Sequence, residues 1–182
     1  MHKIITENKR GYNLVNNSIE VNVPNSLEIQ VGNLLHVRGL KLALAESCTG
    51  GLLSSRITDV PGSSEYFLGG VVAYAYEAKV ASLGVSWDTL NTKGAVSRET
   101  VLQMAHGIRD SMKADVSVAV SGIAGPGGGT AEKPVGTTWI GLVTAEGELA
   151  QLFHFSSGER EKNKALAVEA ALQLLLDYLH ND

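Results

Sequence analysis

Two apolar runs in this chain end the same way. Residues 42–51, LALAESCTGG, and residues 118–129, VAVSGIAGPGGG, each pass from a short apolar stretch through a serine into glycines. A short apolar run bounded by glycine is the pattern of a strand buried on both faces. Glycines directly after it allow a sharp turn into a helix and bring backbone close to a ligand. In open α/β sheets ligands bind beyond the carboxyl ends of the strands. Ser47 and Ser121 are therefore expected to flank one crevice. The bare pattern leaves a second reading open, that of two tight strand-to-helix turns without a ligand. The glycine run is neither a Walker A loop, since no Gly-Lys-Ser/Thr follows, nor G-x-G-x-x-G.

The rest of the chain alternates helix and strand. Pro24-Asn25-Ser26 starts a helix with Leu27, Val31, Leu34 and Leu35 as its apolar positions. Strands are expected at 41–45, 69–76 and 115–121. Helices are expected at 49–60, closed by Pro61-Gly62, and at 97–113, with Ser97 as N-cap and Val101, Ala105, Ile108 and Met112 on one face. Residues 136–145 and 149–155 read as an antiparallel pair across Glu146-Gly147. A last helix, about 158–180, buries Leu172, Leu175, Leu176 and Leu179. Strands alternating with helices predict a layered α/β/α domain, and the late hairpin makes its central sheet mixed. Residues 1–23 are polar and asparagine-rich and form a separate N-terminal extension ahead of the domain at 24–182. By sequence the extension reads equally as a loose tail or as a segment that rests on something, a neighbouring subunit being one candidate, and the protein is expected to be a homo-oligomer.

Composition narrows the function. A chain of 182 residues suits one domain that buries roughly 70% of its unfolded surface without staples. One cysteine allows no internal disulfide. With no secretory leader legible, a cytoplasmic, reducing setting is expected. The net charge of −4, with no concentration of Lys and Arg, argues against nucleic acid as a partner. No apolar run approaches the roughly 20 residues that span a bilayer, so no membrane partner is expected.

Ser47, Cys48 and Thr49 are three nucleophile-type side chains in a row. A cysteine nucleophile needs a base, commonly histidine. None of His2, His36, His106, His154 and His180 lies at a strand end or glycine loop, so Cys48 reads as a small buried hydrophobe. The spacing of histidines and carboxylates predicts no metal site. A serine can be activated by lysine instead. Lys79 follows the strand expected at 69–76, but by spacing alone it reads first as an ordinary exposed lysine starting a helix. Serving as a base would require its pKa to fall from about 10.4 toward 7–8.

Longer motifs change that balance. AESCTGG, ITDVPGSSEYFLGGVVAYAYEAK, GAVSRETV, SVAVSGIAGPGGGTAEKPVGTTWIGL and SSGER occur in this order. Together they resemble the CinA C-terminal domain family over roughly residues 26–180. That family includes stand-alone bacterial nicotinamide-nucleotide amidohydrolases. The resemblance implies hydrolysis of nicotinamide mononucleotide (NMN) to nicotinate mononucleotide and ammonia, in pyridine-nucleotide recycling, by a serine–lysine pair without metal or other cofactor. On the matching positions, it implies Ser47 as nucleophile, Lys79 as base and Tyr74 as a third catalytic residue. It implies a substrate-binding set of Glu46, Thr49, Gly50, Gly51, Ser121, Gly122, Gly125 and Arg160. Backbone N–H groups near Thr49 to Gly51 would hold the oxyanion, and Arg160 with the 122–129 loop the phosphate. Two positions depart from the pattern: Tyr76 stands where many relatives have Asn, and Lys164 is the nearest basic residue after Arg160. The alternative is a nucleotide-binding protein of the same fold with lost or changed amidase activity.

Overall fold

The computed structural model describes residues 13–15, 18–20 and 26–181, with side chains from Ser26 onward. The expectation that the 1–23 extension rests on a neighbouring subunit falls almost wholly outside those residues. Within the stretch, β1 (Asn13–Val15) and β2 (Ser18–Glu20) pair antiparallel, a short hairpin that sequence reasoning did not foresee.

The domain is built on five strands: β3 (Leu42–Glu46), β4 (Phe67–Val72), β5 (Val116–Gly122), β6 (Thr137–Val143) and β7 (Glu148–His154), in the spatial order β4-β3-β5-β6-β7. β3 is parallel to both β4 and β5, whereas β5–β6 and β6–β7 are antiparallel. The sheet is mixed, as the late hairpin requires. Six helices flank it: α1 (Leu27–Arg38), α2 (Leu52–Thr58), α3 (Tyr76–Leu83), α4 (Trp87–Lys93), α5 (Arg98–Met112) and α6 (Arg160–Asn181). None among the described residues is long and apolar enough to cross a membrane.

Side-chain parity on the central strands decides which helix packs where. Leu42 and Leu44, with Val116, Val118 and Val120, meet α1, α2 and α6 in one core. Ala43, Ala45 and Ala119 point the other way, into a core with α3, α4 and α5. At β3 and β5 that second face is made of small residues, so α5 lies close against these two strands. The Ser117 hydroxyl donates to the Ala105 carbonyl at 2.8 Å. A side chain on Gly107 would overlap the Leu83 carbonyl, and one on Gly141 would come within 3.1 Å of the Val101 carbonyl. Ser97 caps α5 as expected, accepting from the Thr100 N–H.

Two boundaries differ from expectation. The strand expected at 69–76 ends at Val72, and Tyr76 already begins α3. Aromatic and β-branched content suggested strand there, but Ala73 to Ala75 leave the sheet so that the chain can fold back over it. The helix expected at 49–60 spans only Leu52–Thr58, because Gly50 and Gly51 have φ of 63° and 96° and form the turn. The short helix α4 was not foreseen.

Candidate active site

Parity also sorts the residues at the end of β3. Glu46 continues the face of Leu42 and Leu44, and Ser47 continues that of Ala43 and Ala45. The Ser47 N–H donates to the Val120 carbonyl at 2.9 Å, extending the β3–β5 ladder by one residue. In that register Ser121 of β5 is the neighbour of Ser47 on the same face.

Lys79 approaches this face from the first turn of α3. It is 0% exposed, which overturns the reading of an ordinary surface lysine. Its Nζ lies 2.9 Å from Ser47 Oγ, 2.7 Å from the Ala73 carbonyl and 3.1 Å from the Tyr74 carbonyl. As an ammonium, the group donates one proton to each of these three acceptors. As a neutral amine it keeps the two bonds to the carbonyls and turns its lone pair to the Ser47 hydroxyl, which then donates. Burial favours the neutral form and pulls the pKa from its usual 10.5 down to about 8. Cys48 has gone the other way. Burial, helped by the charge of Glu46, pushes its thiol up to about 11, and the side chain packs in the apolar core.

Glu46 was expected to bind substrate, and the structure corrects this. Its carboxylate is fully buried and faces the amino end of α2. It accepts from the N–H groups of Gly51 (2.9 Å), Leu53 (3.1 Å) and Ser54 (2.8 Å) and from the Ser54 hydroxyl (2.7 Å). Both oxygens are consumed in capping the helix. The same arrangement revises the backbone donors. The Gly51 N–H is held by Glu46, and the Gly50 N–H donates to the Ser47 carbonyl at 3.2 Å. Among the described residues, the N–H groups of Cys48 and Thr49 meet no acceptor on another residue, which leaves these two as donors beside Ser47. The Thr49 side chain is fully buried and its Oγ1 has no partner among the described residues, so Thr49 faces a substrate through its backbone N–H alone.

A cavity of about 200 Å³ opens beside Ser47, lined by Cys48, Tyr74, Lys79, Ser121, Gly122 and Arg160, and closed on one side by Ala95 and Val96. Ala95 is pinned at both ends of its residue. Its carbonyl accepts from the Ser121 hydroxyl at 2.7 Å and its N–H donates to the Tyr76 hydroxyl at 3.3 Å. Lys133, on the loop after β5, donates to the carbonyls of Val96 and Lys93, both at 2.8 Å. A larger cavity, about 390 Å³, lies at the opposite end of the sheet between the β6–β7 turn and the end of α6, and contains none of these residues.

Arg160, the first residue of α6, spans the mouth. It donates to the Gly125 carbonyl at 2.7 Å and to the Tyr74 hydroxyl at 2.9 Å. Tyr74 thus meets Lys79 through its carbonyl, while its phenol, on a side chain 61% exposed, is held by Arg160. Gly122 lies in the cavity wall, where a side chain would overlap the Thr138 hydroxyl, and Gly125 takes φ 88° to present its carbonyl to Arg160.

Residues 24–179 match the family described as the CinA C-terminal domain. The chain belongs to the CinA C-terminal domain family. A CinA-like protein of Desulfotalea psychrophila is 49% identical over 152 residues, which is 84% of this chain and 37% of that protein. The chain thus spans a little over a third of the length of the curated relatives it matches. The crystal structure of the competence/damage inducible protein CihA from Agrobacterium tumefaciens superposes with a TM-score of 0.81 at 39% identity, over 88% of this chain and 99% of that one. A CinA superfamily protein from Klebsiella pneumoniae gives 0.82 at 35%, over 86% and 97%.

In this CinA C-terminal domain the glycine-rich 122–129 loop was expected to offer N–H groups to a phosphate. It also turns carbonyls inward, that of Gly125 to Arg160 and that of Ala124 to Asn163 Nδ2 at 3.0 Å. Asn163 is buried and fastens α6 to the loop; sequence reasoning missed it, although it lies on the same helical face as Arg160, three residues on. Ala95 and Val96 were also missed. They carry no functional group, and nothing in their local sequence marks a wall built by Tyr76 and Ser121 from distant elements.

Proposed function

We propose that the domain hydrolyses the carboxamide of NMN to nicotinate mononucleotide and ammonia. The observation that carries this reading is the buried Lys79 amine, 2.9 Å from the Ser47 hydroxyl with its pKa near 8. Substantial neutral amine exists near pH 8, and its lone pair is aimed at the one hydroxyl that needs a base. Lys79 removes the Ser47 proton as Oγ attacks the carboxamide carbon. The C–O bond forms, the carbonyl electrons move to oxygen, and the N–H groups of Cys48 and Thr49 stabilise that charge. The oxyanion collapses, the C–N bond breaks, and the proton on Lys79 passes to the departing ammonia. Water, deprotonated by the same amine, then opens the acyl-enzyme and releases the carboxylate with Ser47 restored. Arg160 supplies charge at the mouth for the phosphate. Its bonds there are to neutral acceptors, which a phosphate oxygen outcompetes.

Membership of the CinA C-terminal domain family supports the scaffold. A nucleotide-binding protein without amidase chemistry is disfavoured by one specific cost: burying an amine at 0% exposure beside a hydroxyl, with no carboxylate paired to it, serves no binding purpose. The test is release of ammonia and nicotinate mononucleotide from NMN by the purified protein, with Ser47→Ala alongside. Turnover in the wild type and its loss in the folded variant are expected. No turnover, or full turnover in Ser47→Ala, overturns the reading.

A further inference from the structure

We propose that strand β7 is a dimer interface: two copies of this chain join their β7 edges antiparallel about a two-fold axis at Gln151, making one continuous sheet. The five-stranded sheet has two edges, β4 and β7, and among the described residues neither pairs further. They differ in how they are guarded. The ladder of β4 with β3 shifts register between Leu42 and Ala43, and Gly69 of β4 takes φ 144°. β7 has no such break. Its seven residues, ELAQLFH, pair with β6 without a shift and include no proline, glycine or lysine. A long, regular edge of this kind is a template for another strand.

The phase of the β6–β7 ladder shows which backbone groups face outward. The Gly147 carbonyl accepts from the Thr144 N–H at 2.9 Å, and the Phe155 N–H donates to the Gly136 carbonyl at 3.0 Å. Odd-numbered residues of β7 therefore turn their N–H and C=O groups to β6, and Glu148, Ala150, Leu152 and His154 turn theirs outward. Antiparallel pairing of two such edges must set outward residues opposite outward residues. The register that overlaps the whole strand places Glu148 opposite the partner's His154 and Ala150 opposite the partner's Leu152. Gln151 then faces the partner's Gln151 on the axis.

The side chains fit the same register. The polar ends of the strand meet each other, and the apolar middle meets itself. Glu148 accepts from His106 of its own chain through one carboxylate oxygen at 2.8 Å, and the other lies 3.6 Å from Arg98, open to the partner's His154. Leu149 and Leu152 are large apolar side chains that the single chain leaves exposed. Leu149 meets the partner's Phe153, and Leu152 meets the partner's Ala150. A slip of two residues would instead set Glu148 against a leucine or His154 against an alanine. Leu149 also lines the cavity of about 390 Å³ with Leu142, Leu174 and Tyr178, so the partner's Phe153 arrives at its apolar rim. The two-fold axis makes every contact twice. No β7 residue lines the cavity beside Ser47, which stays open in both copies.

Sedimentation velocity over a dilution series reads the association of wild type, Gln151→Glu, Gln151→Lys, an equimolar mixture of these two, and Leu152→Pro. Wild type should be a dimer that dissociates on dilution. Each Gln151 variant sets like charges opposite one another on the axis and should weaken the dimer about 3- to 5-fold. In the mixture Glu faces Lys, and association should return to the wild-type level or beyond. Proline at 152 removes an outward N–H and leaves the ladder to β6 intact, so Leu152→Pro should be monomeric with the circular dichroism of wild type. If that variant misfolds, the Gln151 series decides. A wild type that is monomeric at every concentration overturns the proposal. So does a folded Leu152→Pro that still dimerises, or a Gln151 mixture that associates no more tightly than its components.

Discussion

The carboxylate of Glu46 holds Ser54 twice, through its backbone N–H at 2.8 Å and its hydroxyl at 2.7 Å. Strand β3 is thereby bolted to helix α2 across the turn that carries Ser47. Glu46→Gln keeps the shape but loses the charge and turns an NH2 toward N–H donors. It should cost about 2–4 kcal/mol, since a buried charged acceptor and its partners are left mismatched. Urea denaturation measures this directly, and turnover on NMN should fall with it because the Ser47 turn is no longer fixed.

Turnover should depend on pH through Lys79. Only the neutral amine is a base, so kcat/KM should rise tenfold per pH unit below about 8 and level off above it. Lys79→Arg stays protonated throughout and should be inactive at every pH. A flat profile between pH 6 and 8 would remove Lys79 from the mechanism.

The same lysine should weaken the fold. Its folded pKa, about 8, lies below the 10.5 of the free side chain. Below pH 8 the amine is charged in both folded and unfolded chains, and the folded chain bears the whole cost of burying it. Between 8 and 10.5 the unfolded chain binds a proton that the folded chain does not, so stability from this group rises with pH and the cost is gone above that window. Relative to wild type, Lys79→Met, inactive, should accordingly lose about 3 kcal/mol of stability as the pH is raised from 7 to above 10.5. Paired urea titrations at the two pH values check the sign.

Cys48 should be inert. With its thiol pushed up to about 11, the thiolate fraction at pH 8 is about two orders of magnitude below that of an ordinary cysteine. Iodoacetamide labelling of native protein should be slower by at least that factor, and Cys48→Ala should retain turnover on NMN.

Tyr76→Phe removes one oxygen, the acceptor of the Ala95 N–H. The wall of the cavity should loosen without disturbing Ser47 or Lys79. The expected result is a KM for NMN raised about 3- to 10-fold, with kcat and the pH profile unchanged. A fall in kcat at constant KM would mean that Tyr76 acts on the reacting groups themselves.

The strands and long helices could be read from the sequence because their periodicity is a local property. LALA, VSVAV and the leucines of the last helix each declare their burial within one window. The meeting of Ser47 with Lys79 could not be read that way. It depends on the chain leaving β4 at Ala73, a boundary that the aromatic run AYAY hides, and on 32 residues of intervening fold closing at 2.9 Å. Only the family resemblance joined the two. Glu46 was misplaced for a related reason. An acid next to a nucleophile looks chemical, and strand parity, which sends it to the opposite face, becomes decisive only when the helix it caps is known to lie there. Arg160 was legible as a cation at a helix start, but its carbonyl partner came from a loop 35 residues away.

The small-residue face of the sheet constrains how this chain can change. On the side of α1, α2 and α6, leucines and valines can be exchanged at nearly constant volume, and such swaps cost under about 1.5 kcal/mol. On the side of α5 there is little to exchange, since Ala43, Ala45 and Ala119 can shrink only to glycine and any growth drives α5 outward. That helix begins immediately after Ala95 and Val96, so the displacement would be delivered to the cavity wall. In a random library selected only for folded protein, tolerated substitutions should accumulate behind the sheet and thin out in front of it. Drift would then remodel the back of the molecule while the cavity beside Ser47 stays rigid.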